Sequence, residues 1–277
     1  MAKLFAAFQY ILPHHAISRV VFWLTRLQTP IARPVMAWFT RVYGIDMSEA
    51  ANSDFAHYDS FNAFFTRALR AGARPIASAE RVVVSPSDGR VSQLGSIENG
   101  QIFQAKGHSY SAAELLGSET EAAAFDGGQF ITIYLSPKDY HRVHMPLAAR
   151  LLRTLHVPGR LFSVAPHTVA HVPRLFARNE RAVCFFESSK GPFAQVLVGA
   201  INVAAIETVW AGLITPPAAW GARWVPHQGE VDLQCGEEMG RFNMGSTVIL
   251  LLPAGASWEP TLKPGDPVRM GQALGHW

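Results

Sequence analysis

Cysteine, early acidic residues and long apolar runs are all scarce in this chain of 277 residues. Cys184 and Cys235 are its only cysteines. Two are too few for a disulfide framework and lack the paired spacing of a zinc site, so they read as reduced thiols, with a single bridge between them left open. No stretch reaches the roughly 18 unbroken apolar residues of a spanning helix. Residues 4–18 are uncharged, but Pro13 and His14-His15 interrupt them. Internal repeats, low-complexity tracts and long linkers are also missing. Eleven histidines raise a metal hypothesis, yet most are scattered without ligand spacing. His141 and His144 are three apart, which would put both on one side of a helical turn but on opposite faces of a strand. With no third ligand at a convincing spacing, no metal is expected.

What the chain does contain is apolar bulk: 49% of its residues are hydrophobic, enough for one large core or a domain with an appendage. The net charge of +3 is mild, but it is unevenly placed. Before Asp46 the only charged side chains are Lys3, Arg19, Arg26, Arg33 and Arg41, a local +5 that leaves −2 for the remainder. Basic residues scattered in an apolar, aromatic segment suit an anionic membrane surface, whereas nucleic-acid binding calls for denser Lys and Arg and base-reading elements.

Along the first 45 residues, Ile17, Val20, Val21, Leu24 and Leu27 recur at helical spacing, with Arg19 and Arg26 sharing another face. Ile31, Val35, Trp38, Phe39 and Val42 repeat the pattern, and Pro34 suits an early helical position. Two or three short amphipathic helices are predicted, lying in a membrane interface; packing on the core is the competing reading. An acid-free, Arg-bearing start also matches a mitochondrial transit peptide, but Ser is sparse and no processing site stands out. Ser60 is a candidate N-cap for one further helix. From Arg81 the texture changes to short β-branched runs at 82–84, 130–135, 182–186, 195–203 and 248–252, separated by Gly- and Pro-marked turns. The expected fold class is α+β, a mainly antiparallel β core of sandwich or barrel type with N-terminal amphipathic helices. The boundary is placed at 1–50, the membrane-associating segment, and 51–277, the catalytic β domain. Residues 262–275 resemble half of a lipoyl or biotinyl carrier barrel and suggest a hairpin there, but the exposed lysine a carrier needs is absent from the remaining residues.

One short stretch organises the chemistry. In Arg241-Phe242-Asn243-Met244-Gly245-Ser246-Thr247-Val248-Ile249-Leu250 a serine hydroxyl follows an unhindered Gly carbonyl at the mouth of an apolar strand. Taken alone, Gly-Ser-Thr is an ordinary turn. If the turn is strained and a base lies close, however, Ser246 can attack the Gly245 carbonyl, shift the acyl group from N to O, and by elimination leave an N-terminal pyruvoyl group. Such a keto group forms a Schiff base with an amine and accepts the electrons of a departing carboxylate, as PLP does elsewhere.

Met244-Gly245-Ser246-Thr247-Val248-Ile249 resembles the self-processing site of the bacterial-type phosphatidylserine decarboxylases. The likeness extends through Ser85-Pro86-Ser87-Asp88-Gly89, through 104–111, and through Tyr134-Leu135-Ser136-Pro137-Lys138-Asp139-Tyr140-His141-Arg142-Val143-His144-Met145-Pro146. It continues in His156-Val157-Pro158-Gly159-Arg160-Leu161-Phe162 and in 175–181. Met244 departs from the Leu or Phe more usual there, a volume-conserving change. The resemblance implies a proenzyme cut between Gly245 and Ser246 into a β chain, 1–245, and an α chain, 246–277, which stay associated. It implies a covalent pyruvoyl cofactor made from Ser246, with His144 as the base that deprotonates Ser246 and Asp88 as the group that orients His144. His141 is implied to act in decarboxylation, on the substrate carboxylate or on the proton at the reacting carbon. The implied substrate is phosphatidylserine, the implied location the cytoplasmic face of a bacterial membrane, bound peripherally, and a homodimer is compatible with it. Two rivals remain: a pyruvoyl decarboxylase of a soluble amino acid, which leaves the basic N-terminus without a purpose, and a non-catalytic carrier-type or membrane-docking β module, which predicts one intact chain.

Overall fold

The computed structural model describes residues 2–78, 81–201, 205–216 and 221–277, with side chains from residue 5 onward; the Lys3 side chain and the end of the run 195–203 therefore lie outside the described residues. The architecture is α+β, as the periodicities predicted. Three helices, Ala2–Gln9, His14–Thr25 and Ala32–Tyr43, open the chain. The third ends on Gly44 at φ +64, a left-handed C-terminal position that glycine adopts without strain. Ser60 caps the short helix Phe61–Phe65, its Oγ accepting from Ala63 N.

Among the described residues, the body is a nine-stranded, antiparallel sheet. Its middle runs, in spatial order, Ala149–Val157, Arg181–Ser188, Gly191–Val198, Thr247–Leu252, Gln129–Tyr134 and Gly89–Ser96. Every residue of Thr247–Leu252 is buried, which explains why this strand reads as an unbroken apolar run rather than as an alternation. Its partners fix its register: Thr247 lies opposite Tyr134 on one side and Val198 on the other. A four-stranded sheet joins Glu238–Phe242 to Arg142–His144 on one edge and Ile206–Thr208 on the other. The stretch 243–246 is thus the connection from the smaller sheet into the centre of the larger one.

One detail departs from the sequence reading. Residues 262–275 do not form a hairpin: Pro267–Val268 pairs with Gly89–Arg90, while Ala273–His276 pairs with Val82–Val84 and Ser257–Trp258. The two strands are separated by a turn whose Gly271 N donates to Ser85 O, so the chain crosses between sheets instead of doubling back. Helix His14–Thr25 buries His14 and Ser18, while Val20, Trp23 and Leu24 face outward, as an interfacial helix requires and a core-packed one does not.

The helices rest on the body through two contacts of different kinds. Helix Ala32–Tyr43 contributes Met36 and Phe39 to a second apolar cluster with Ile45, Tyr58, Phe64 and Phe65. The first two helices dock through polar groups: Ser163 N donates to Gln9 Oε1 (2.7 Å), Leu161 N to His14 Nδ1 (3.2 Å), and Arg160 to Tyr10 O (2.7 Å). Cys184 and Cys235 are both free thiols, and burial pushes the Cys184 thiol up to about 12.

Candidate active site

The turn between Glu238–Phe242 and Thr247–Leu252 is pinned at both ends. Asn243 N donates to Ala205 O (2.8 Å), and Leu135 N donates to Ser246 O (2.9 Å). Between these anchors Met244 takes φ +103 and Gly245 φ +21. A non-glycine residue at positive φ is uncommon, and such backbone strain is of order 1–3 kcal/mol. Ser246 is fully buried, and its Oγ has no hydrogen-bond partner among the described residues. A buried hydroxyl without a partner is unfavourable by roughly 1–3 kcal/mol, so it marks a place where polar chemistry is expected.

His141 sits just before the strand Arg142–His144 and is 1% exposed. Its Nδ1 lies 2.7 Å from Asp139 O; a carbonyl only accepts, so Nδ1 carries the proton and Nε2 carries the lone pair. That Nε2 has no partner among the described residues and lies beside Gly245: a Cβ built there would meet it at 3.8 Å. Burial lowers the imidazole to about 3, against a smaller upward pull from the Asp139 carbonyl, so the ring is neutral at physiological pH. The Phe65 ring covers it at a centroid distance of 4.1 Å.

His144 lies within the strand and is held at both nitrogens. Nδ1 donates to Gly236 O (2.8 Å), which leaves Nε2 to accept from the Tyr140 hydroxyl (3.0 Å). Its pKa is lowered, chiefly by burial. Asp88 does not complete a hydrogen-bonded pair with His144 in this conformation. Its carboxylate is instead gripped by Arg74, with Nη2 at 2.6 Å from Oδ2 and Nε at 2.9 Å from Oδ1, and Oδ1 also accepts from Met270 N (2.9 Å). The reason is electrostatic: a bidentate guanidinium is a stronger partner for a carboxylate than a neutral imidazole. Asp88 still acts on His144 through space, favouring its charged form. Gly89, which follows, cannot carry a side chain, because a Cβ would lie 2.4 Å from Tyr134 O; that close approach sets Asp88 against the central sheet.

Of the sequence-predicted residues, His141 lies beside Gly245 and Asp88 acts on His144 through space, but among the described residues no hydrogen bond joins Asp88 to His144 or His144 to Ser246, so the contacts differ from a simple triad. Sequence reasoning missed Arg74, Tyr140 and the Gly236 carbonyl. Tyr140 was within reach, since it stands between two site-bearing residues; Arg74, in a turn with no periodicity, gave no signal. In front of Gly245 opens a cavity of about 210 Å³, lined mainly by apolar groups that include Phe39, Tyr43, Phe65, Leu135, Val164 and Met244. Phe39 and Tyr43 come from the third N-terminal helix, so the cleft lies between the helical layer and the sheet. No helix among the described residues is long and apolar enough to cross a membrane.

Comparison with known proteins gives a consistent result. The family model described as phosphatidylserine decarboxylase matches residues 61–276, and a second, described as PSD, matches residues 4–44. Among curated proteins, a phosphatidylserine decarboxylase proenzyme of Ectopseudomonas mendocina is 53% identical over 280 residues, covering 99% of this chain and 98% of its own. Proteins of the same name from Pseudomonas aeruginosa and Stutzerimonas stutzeri are each 52% identical, covering 98% and 99% of this chain and 96% and 94% of their own.

Proposed function

The chain belongs to the phosphatidylserine decarboxylase family, and on that premise we propose that it is a proenzyme that cuts itself between Gly245 and Ser246 and converts phosphatidylserine to phosphatidylethanolamine and CO2. The observation that carries the proposal is the turn: Met244 held at φ +103, Gly245 on the wall of the cleft, and a buried Ser246 hydroxyl without a partner among the described residues.

Attack of Ser246 Oγ on the Gly245 carbonyl carbon breaks the C–N bond, forms an ester and transfers the hydroxyl proton to the freed amine. Loss of the α proton of residue 246 then expels the Gly245 carboxylate, and water displaces ammonia to leave a pyruvoyl terminus on residues 246–277. The site suits that product: residue 246 is fixed through its own carbonyl to Leu135 N, and its surroundings are buried and mainly apolar. The pyruvoyl group supplies an electron sink for the carboxylate of a bound amino acid headgroup.

His144 is the proposed base for Ser246, an assignment supported by its neutral state and by the carbonyl that fixes its tautomer. To take the proton, Nε2 exchanges its Tyr140 partner for Ser246. Asp88 favours the imidazolium that results, and Arg74 fixes Asp88. His141, neutral and with its free nitrogen toward Gly245, is the proposed group that handles the proton at the substrate α carbon. The apolar lining of the cleft suits a lipid better than a soluble amino acid. Exposed Ile11, Trp23, Ile31 and Trp38 with Arg19, Arg33 and Arg41 form the proposed contact with the anionic cytoplasmic face of a bacterial membrane, each basic residue adding about 1 kcal/mol.

Intact mass under denaturing conditions tests this reading. The expected result is two fragments, the smaller beginning at residue 246 with a keto-bearing terminus, and an uncut chain for Ser246→Ala. His144→Ala and Asp88→Ala are expected to accumulate uncut chain. A single full-length species in active protein overturns the assignment.

A further inference from the structure

The helix Phe61–Phe65 lies outside the sheet that carries the scissile turn, yet it touches that turn and its neighbour at three points. Asn62 Nδ2 donates to Asn243 Oδ1 (2.9 Å). Three residues on, and therefore on the same side of the helix, the Phe65 ring lies against His141. Met244 does not join the main core of the body: its side chain packs on the cluster built by Met36, Phe39, Phe64 and Phe65. The residue with the unfavourable φ is thus gripped from outside, by its own side chain and through the amide of the residue before it. Asn243 is 1% exposed, and its backbone N–H is also spent, on Ala205 O.

A positive φ at a methionine persists only where the surroundings hold it. The strand after the turn is fixed by the central ladder, and Asn243 by Ala205, but neither of these contacts touches the Met244 side chain. The contact that does comes from the helical layer. We propose that Asn62 and Met244 are positioning residues for self-cleavage: the Phe61–Phe65 helix holds the peptide before Gly245 so that its carbonyl stays presented to Ser246. This rests on the proposed self-cleavage at Gly245-Ser246. It assigns to the helical layer a part in maturation that is separate from any part in lipid binding.

The test follows cleavage of the freshly synthesised full-length chain over time, on denaturing gels, for wild type, Asn62→Ala, Met244→Ala and Met244→Leu. Asn62→Ala and Met244→Ala are expected to slow cleavage at least about tenfold, while Met244→Leu, which keeps the volume, cleaves at close to the wild-type rate. Hydroxylamine, which cuts an ester but not a peptide bond, separates the steps. It is expected to release no fragment from the uncut Asn62→Ala chain, because the acyl shift itself is impeded. Prompt release by hydroxylamine would place the defect in the elimination and overturn the positioning role, as would a wild-type rate in either alanine variant. If Met244→Ala melts below the assay temperature, Asn62→Ala decides alone, since it removes one hydrogen bond from a half-buried helix residue. A wild-type chain that never cuts defeats the proposed function; a wild-type chain that cuts alongside an equally fast Asn62→Ala defeats only this inference.

Discussion

The helical layer and the sheet invert one another. The two sheets and the turn between them bury polar groups, including Ser246, Thr247, His141, His144 and Gln195. The helical layer exposes apolar ones: Ile11 at 76%, Ile31 at 69%, Trp23 at 62% and Trp38 at 59%. In water both arrangements are unfavourable, since apolar side chains contribute most when removed from solvent and polar ones when left in it. Each becomes reasonable if the region has a second partner, a lipid surface outside and a reacting headgroup inside. The comparison teaches that the irregular assignments, an outward Trp or an unpaired hydroxyl, carry more functional information than the well-packed core between them.

The inner half of the comparison breaks most sharply at His141. His141→Ala is expected to mature normally yet lose about 10²–10⁴ in turnover, the usual effect of removing a positioned acid or base; a full-length chain in this variant would instead place His141 in maturation. Next in size is Arg74→Met. Its guanidinium is 5% exposed and holds both Asp88 and Glu49, so its loss leaves a nearly buried carboxylate unpaired, and a stability loss of about 3–5 kcal/mol is expected in urea titration. The outer half is tested by Trp23→Ser with Trp38→Ser. Partition to vesicles containing phosphatidylserine should fall about 10–100-fold, with little change in melting temperature, because the two rings are already solvated in the free protein. A fall in melting temperature without loss of binding would mean that the rings serve the fold.

The smallest effect concerns the seam between the two regions. His14 is buried with Nδ1 accepting from Leu161 N, and burial, aided by Arg160, lowers it from 6.5 to about 4. A base whose pKa is depressed in the folded state contributes stability that is complete above the unfolded value and is lost as pH falls toward the folded one. Between pH 7 and 5 the unfolded chain binds the extra proton, so stability should fall by about 1–2 kcal/mol from this group, less in His14→Gln. Equal slopes for the two proteins in pH-dependent melting would remove His14 from the seam.

Periodicity made the helices and the main strands legible, and Ser60 was recognisable as a cap. What it could not supply was orientation. The pattern at 17, 20, 21, 24 and 27 defines an apolar face, but a helix held down through His14 turns Val20 and Leu24 of that face outward, and only tertiary contacts decide this. The strands Gly89–Ser96 and Ala149–Val157 went unrecognised because Gly, Gln and Arg interrupt their apolar positions. At the site, residue types at Asp88, His141, His144 and Ser246 were readable, whereas their hydrogen-bond partners were not. Arg74 reaches Asp88 from a turn, and Gly236 reaches His144 with a backbone carbonyl that any residue could offer.

The strand Thr247–Leu252, laced on both sides into the ladder, has a consequence for the lifetime of the protein under the proposed cut. Before the cut, unfolding is an event within one chain and can be retraced. Afterwards the same strand is the first segment of a 32-residue partner, held by its two neighbours and by the joining of 267–268 and 273–276 to other strands. Loss of structure then becomes dissociation, its midpoint depends on concentration, and recovery requires two molecules to meet. Maturation therefore runs one way: the chain folds once as a single molecule, and the active form must keep what that folding achieved.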